Sequence, residues 1–156
     1  MKLTAIALAI AAFAFSANAQ DAPTVTISGA VQHPLTLTLS DLQKMPAVDV
    51  TVSQQTDHGP AQGRFHGVLL WTIIDKAGLV SGSEKNAYLG HTILVSGSDK
   101  YAAAVSEGEI DPNLEGKQII LATAKDGAPL DKPRLVVPLD AHASRSVHDV
   151  ATIEVK

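Results

Sequence analysis

The most ordered hydrophobic pattern in the chain lies in residues 50–79, VTVSQQTDHGPAQGRFHGVLLWTIIDKAGL. Val48, Val50 and Val52 alternate with polar residues, the period of a half-buried strand. Leu70, Ile73, Ile74 and Ala77 fall at i, i+3, i+4 and i+7, one apolar face of a short helix, and Gly78 stands where helices commonly stop. Between the two, residues 54–66 lose all period and carry Asp57, His58, Arg64 and His66. The pattern predicts a polar loop fixed at both ends by buried elements, the kind of place where functional side chains collect.

The remaining chain reads as short strands. Val25 and Ile27 alternate with threonine and serine, and Leu35, Leu37 and Leu39 alternate with Thr36 and Thr38. Ser40 with Gln43 three residues on predicts a capping box for one helical turn, which Pro46 stops. Residues 81–85 form a polar link. Residues 92–95 read as a strand, Gly97, Ser98 and Asp99 as a turn, and residues 101–105 as the neighbouring strand. Residues 107–115 are acidic and contain Pro112, which suggests a loop with one helical turn. Residues 118–124 are nearly all apolar, as expected of a strand covered on both faces. Asp126-Gly127 is a turn signal, residues 134–138 resume an extended run, and residues 140–148 are polar and aperiodic. Residues 150–155 close the chain as a last strand. With no internal repeat, low-complexity tract or second core, the pattern predicts a single α+β domain.

Composition changes the picture at the N-terminus. Lys2, an apolar run over residues 3–15 and the small residues Ala17 and Ala19 make the pattern of a cleaved signal peptide, residues 1–19, with the domain at 20–156. The run is short for a membrane span. Residues 1–19 contain no arginine, so the expected route is the general secretory one, the expected place the periplasm, and no membrane association is expected after cleavage. The net charge of −4, with no basic cluster, argues against nucleic acid or an anionic membrane as partner. The chain has no cysteine, hence no disulfide, no redox thiol and no thiolate for a metal.

Candidate chemistry is sparse. Asp57, His58, His66, His142 and His148 occupy two polar stretches, and such a donor set, if the two converge, suits zinc or iron, but the spacings match no ligand pattern and no metal site is assigned. Ser53, Ser144 and Ser146 lack a nucleophile elbow, and there is no Gly-rich phosphate loop. Tyr101 fits a core ring with its hydroxyl at the rim. Arg134 fits a turn-flanking surface charge. Arg145, alone in an aperiodic loop, fits a solvated charge or an anion contact equally. Asp57 and His58 sit in an Asp-His-Gly-Pro run suited to a turn with an exposed His, or to one that faces a ligand.

Five blocks in order, ISGAVQHPLTLTLSDLQKMP, FHGVLLWTIIDKAGL, SGSDKYAAAV, IILATAKDGAPL and PRLVVPLDAHASRSVHDVATIEV, resemble the molybdopterin-binding domain of the sulfite oxidase family. The resemblance implies a compact mixed α+β fold of several small sheets, with a pterin cofactor held between loops and an oxidoreductase activity. It places the family's metal-binding cysteine within residues 53–59, where this sequence has none. It implies that Tyr101 faces the metal site, that Arg134 opens the block RLVVP, that Arg145 lies near the pterin phosphate, and that His58 stands close to the cofactor.

Two functional readings follow. In the first, the domain works without molybdenum and binds a small anionic ligand or a periplasmic protein partner in the former cofactor cleft. In the second, it is a cysteine-free molybdopterin-dependent oxidoreductase that transfers oxygen atoms or electrons. A purely structural interaction module keeps the fold and drops the cleft. The missing thiolate and the export route favour the first, because the family's cofactor is inserted in the cytoplasm and travels inside a folded protein. Convergence of His58, Tyr101 and Arg145 on one basic pocket is the expectation that separates ligand binding from the module.

Overall fold

Burial alternates along the strands much as the polar pattern predicts. The computed structural model describes residues 22–156, so the expected export segment lies outside the described residues. The chain runs β1 (Thr24–Gly29), β2 (Leu35–Thr38), α1 (Leu39–Gln43), β3 (Val48–Thr56), β4 (Gly59–Leu69), α2 (Leu70–Ala77), β5 (Thr92–Gly97), β6 (Ala102–Ser106), α3 (Glu107–Ile110), β7 (Ile120–Lys125), β8 (Ala128–Val136) and β9 (Val150–Val155). Single 3₁₀ turns at Ala87–Gly90 and Ala143–Arg145 interrupt the links.

The strands form a five-stranded sheet, order β2-β1-β9-β5-β6, and a four-stranded sheet, order β3-β4-β7-β8. Among the strands of the described residues, only β1 and β9 pair in parallel, which brings the first described strand beside the last. The main core joins residues of both sheets to α1 and α2, and Leu70, Ile73, Ile74 and Ala77 of α2 are fully buried in it. Leu121 of β7 faces this core while Ile120 and Ala122 face a smaller apolar cluster with Val50, Val52, Phe65 and Val136. The strand covered on both faces is therefore present, and the cluster expected to be absent is the second face of one sheet.

Three local expectations need correction. Residues 54–66 are not a loop: β3 and β4 form a hairpin, paired from Val48 with Gly67 to Thr56 with Gly59, around the two-residue turn Asp57-His58. The buried positions along this part of β4 are Gly63, Phe65 and Gly67, so only one apolar side chain marks the period. Gly67 is required there, because a Cβ would lie 2.3 Å from the Leu121 carbonyl oxygen on β7. The capping box is made by Thr38 and Asp41, not Ser40 and Gln43. The Asp41 N–H donates to Thr38 Oγ1 (3.1 Å) and the Thr38 N–H donates to the Asp41 carboxylate (2.9 Å). The strand ends at Thr38, so the cap falls at that junction. Finally, β8 begins at Ala128, six residues before the extended run legible in the sequence.

Candidate functional site

The two-residue period of β3 turns Val50, Val52 and Gln54 to one face of the four-stranded sheet, beside Phe65 on β4 and Arg134 and Val136 on β8. Gln54 is buried and its Nε2 donates to the Val137 carbonyl (2.8 Å), which satisfies the donor and ties β3 to the residue just after β8. Residues 140–148 fold over the end of this face. The Gln55 N–H donates to the Ala141 carbonyl (2.8 Å), and Gln55 bridges to His142. Two adjoining concavities result. A cleft of about 620 Å³ is lined by Asp57, Asp99, Tyr101, Ser144, His142 and His148 among others, and a trough of about 150 Å³ shares Thr56, Ala143 and Ser146 with it.

The trough holds the cations. Arg134 is half-buried, its Nε is buried without a hydrogen-bond partner, and no carboxylate of the described residues pairs with it. Its guanidinium carbon lies 5.4 Å from the centre of the Phe65 ring, and Lys125 Nζ lies 5.7 Å from the same centre. The ring partly offsets the desolvation of both cations but supplies no hydrogen-bond acceptor. Burial draws the Arg134 pKa down, yet a guanidinium starts so high that the charge persists. Partial burial, and then the Arg134 charge, hold His148 below the usual histidine value, so its imidazole is neutral at pH 7.

The residues singled out in the sequence do not converge as one set. Tyr101 is half-exposed, lines the cleft rather than the core, and its hydroxyl donates to the Ser144 carbonyl. Arg134 lines the trough. Arg145 instead clamps its own loop: Nε and Nη2 donate to the two Asp140 oxygens (2.9 and 2.7 Å) and Nη1 donates to Glu109 (3.2 Å). That pairing raises its pKa, with Asp140 the main cause, and leaves the side chain outside the lining of both concavities. His58 is exposed at the hairpin tip, also outside both linings. Of the possible metal donors, His66 pairs with Asp49 (3.1 Å) on the outer face, and among the described residues no group of three His, Asp or Glu could hold a metal. Sequence reading missed Phe65, Lys125 and Gln54. Phe65 would have been found had the β4 period been legible, and Lys125 stands directly before the Asp126-Gly127 turn.

The family model for the oxidoreductase molybdopterin binding domain matches residues 14–156. The chain belongs to that family. The fold agrees: the crystal structure of the sulfane dehydrogenase SoxCD from Paracoccus pantotrophus superposes with a TM-score of 0.67 at 19% identity, over 85% of this chain and 37% of that one. The chain thus spans little more than a third of that protein's length, and the likeness bears on fold alone. No curated protein matches the chain.

Family membership implies molybdopterin, and the residues present do not fit it. The segment where the thiolate is expected, residues 53–59, is the tip of the β3–β4 hairpin and holds no cysteine. The cleft wall beside it carries the carboxylates of Asp57 and Asp99 and no lysine or arginine. A phosphate-bearing dithiolene would meet negative charge there, with no cation in the lining to offset it. Arg145, the residue expected at that phosphate, is already bound to Asp140 and Glu109.

Proposed function

We propose that this family member is a periplasmic binding domain that takes a small oxyanion in the trough beside the old cofactor cleft, without molybdenum. The observation that carries the reading is Arg134: a half-buried guanidinium without a carboxylate, with an unpartnered Nε, next to Lys125 and the side chains of Thr56 and Ser146. A buried donor without an acceptor costs stability unless something fills the place, and an anion with several oxygens satisfies both cations at once. The trough volume suits a tetrahedral oxyanion rather than a pterin. Export is supported by Lys2, the apolar run over residues 3–15 and the Ala17 and Ala19 pair.

Titration calorimetry of the mature chain with inorganic sulfate and with phosphate tests the reading. Arg134→Ala is expected to weaken binding by about tenfold to a hundredfold, the value of one charge-assisted contact of about 1.5 to 3 kcal/mol. Arg145→Ala, with its side chain outside the trough, is expected to weaken binding less. Equal affinity in wild type and Arg134→Ala would overturn the assignment.

A further inference from the structure

The four residues of α3 carry two glutamates in opposite circumstances. Glu109 is paired with Lys117 (3.0 Å) and Arg145 (3.2 Å) and accepts the Ser106 N–H. Although burial works the other way, those contacts hold its carboxyl down to about 2. Glu107 is fully buried, and no donor reaches either carboxylate oxygen; its polar neighbour is the Asp111 carboxylate, to which only the protonated acid can donate. Residues two apart on a helix lie about 200° apart, so the cations that serve Glu109 lie away from Glu107.

The surroundings of Glu107 contain nothing to hold a negative charge. On its own C-terminal side stands Asp111, 5% exposed, whose Oδ1 accepts the Asn113 N–H. The 3₁₀ turn Ala87–Gly90 packs against α3, carries Tyr88, and leads to His91, whose carbonyl accepts the Glu107 N–H and whose Nδ1 is itself buried and unpartnered. β6, also packed on α3, has no titratable residue. In the segment after α3 the Glu115 and Lys117 amides donate to the Gly108 and Glu109 carbonyls, while the Lys117 ammonium is taken up by Glu109 and Glu115. A carboxylate in such a place is disfavoured, first by desolvation and then by Asp111, and the neutral acid is the form that fits.

We propose that the proton on buried Glu107 is a latch: while it is bound, α3 stays seated and Glu109 holds Arg145, and through Arg145 residues 140–148 over the cleft. When the proton leaves, α3 loosens and the cleft wall opens. The group's pKa, pushed up to about 7, puts the change at neutral pH. The latch holds whichever ligand the cleft or the trough takes, because it acts on the wall that Ala143 and Ser146 give to both.

Amide hydrogen exchange of the full mature chain at pH 5.5 and 8.5, corrected for the intrinsic rate, reads the wall directly. The probes are the Gln55 and Ser146 amides, which donate to Ala141 and Ala143. Their protection is expected to fall roughly tenfold or more in the wild type across this range, and to stay constant in Glu107→Gln. A step that survives in Glu107→Gln belongs to another group, such as His91, and overturns the proposal. Should Glu107→Gln fail to fold, Asp111→Asn removes the repelling charge and is expected to move the midpoint to lower pH; an unmoved midpoint overturns it equally. Glu109→Gln, which weakens the link to Arg145, is expected to leave the wall open at both pH values while the amide of Asp111, bonded to the Glu107 carbonyl, keeps its pH step.

Discussion

Gly67 and Arg134 each owe their character to what surrounds them. A Cβ at Gly67 would lie 2.3 Å from the Leu121 carbonyl oxygen and 2.5 Å from the Ala122 Cα, both backbone atoms that cannot swing aside. Gly67→Ala is therefore expected to destabilise the protein by about 2 kcal/mol or more, measured by chemical denaturation. A loss of under half that would mean β4 and β7 separate easily. The sequence announced neither demand. Gly67 follows the aperiodic stretch 54–66 with no apolar period of its own, and Arg134, a candidate through the family resemblance, fits a turn-flanking surface charge on its own pattern, because burial at both sites is created by strands that arrive from elsewhere in the chain. Arg145 is the converse case. Its loop fits a solvated charge or an anion contact equally, and the resemblance implies a pterin phosphate, but Asp140 and Glu109 supply the anions, and Glu109 comes from 36 residues away.

Among the elements, those with regular apolar periods were legible and those built around small residues were not. The α2 face, the β5–β6 pair and β9 all lie where the pattern put them. The β3–β4 hairpin escaped notice because Gly63 and Gly67 occupy buried positions without an apolar side chain. The start of α1 was misplaced by two residues, since Ser40 and Thr38 are both good caps and only the end of β2 decides between them. Thr38→Ala is accordingly expected to cost about 1 kcal/mol in thermal or chemical unfolding, while Ser40→Ala is expected to cost no more than a few tenths. The reverse order would restore the cap to Ser40.

For the molecule as a whole, the resemblance of five ordered blocks carried the fold class correctly, but pairing was beyond it. Nothing in the local pattern says that β1 lies parallel to β9, or that residues 140–148 close over the hairpin. Stability should record the two glutamates of α3 in opposite directions. Glu109, held at about 2 when folded, contributes above its unfolded value of 4.5 and loses that contribution as pH falls toward 2. Glu107, raised to about 7, favours the fold fully below 4.5 and loses that contribution as pH rises through 7. Thermal unfolding across pH 2 to 9 is expected to show maximal stability near pH 5. A maximum above pH 7 would mean that Glu107 is solvated or paired in the folded protein.

The fold is that of the molybdopterin-binding family, but its cleft is lined by Asp57 and Asp99, offers no thiolate, and leaves the cations Arg134 and Lys125 in the neighbouring trough. The most direct test is the molybdenum content of the protein, with assay of released pterin, after expression of the whole sequence in a host that makes the cofactor. The expected result is neither metal nor pterin. Stoichiometric molybdenum with pterin would contradict the account and make this chain a redox enzyme that holds its cofactor without the cysteine.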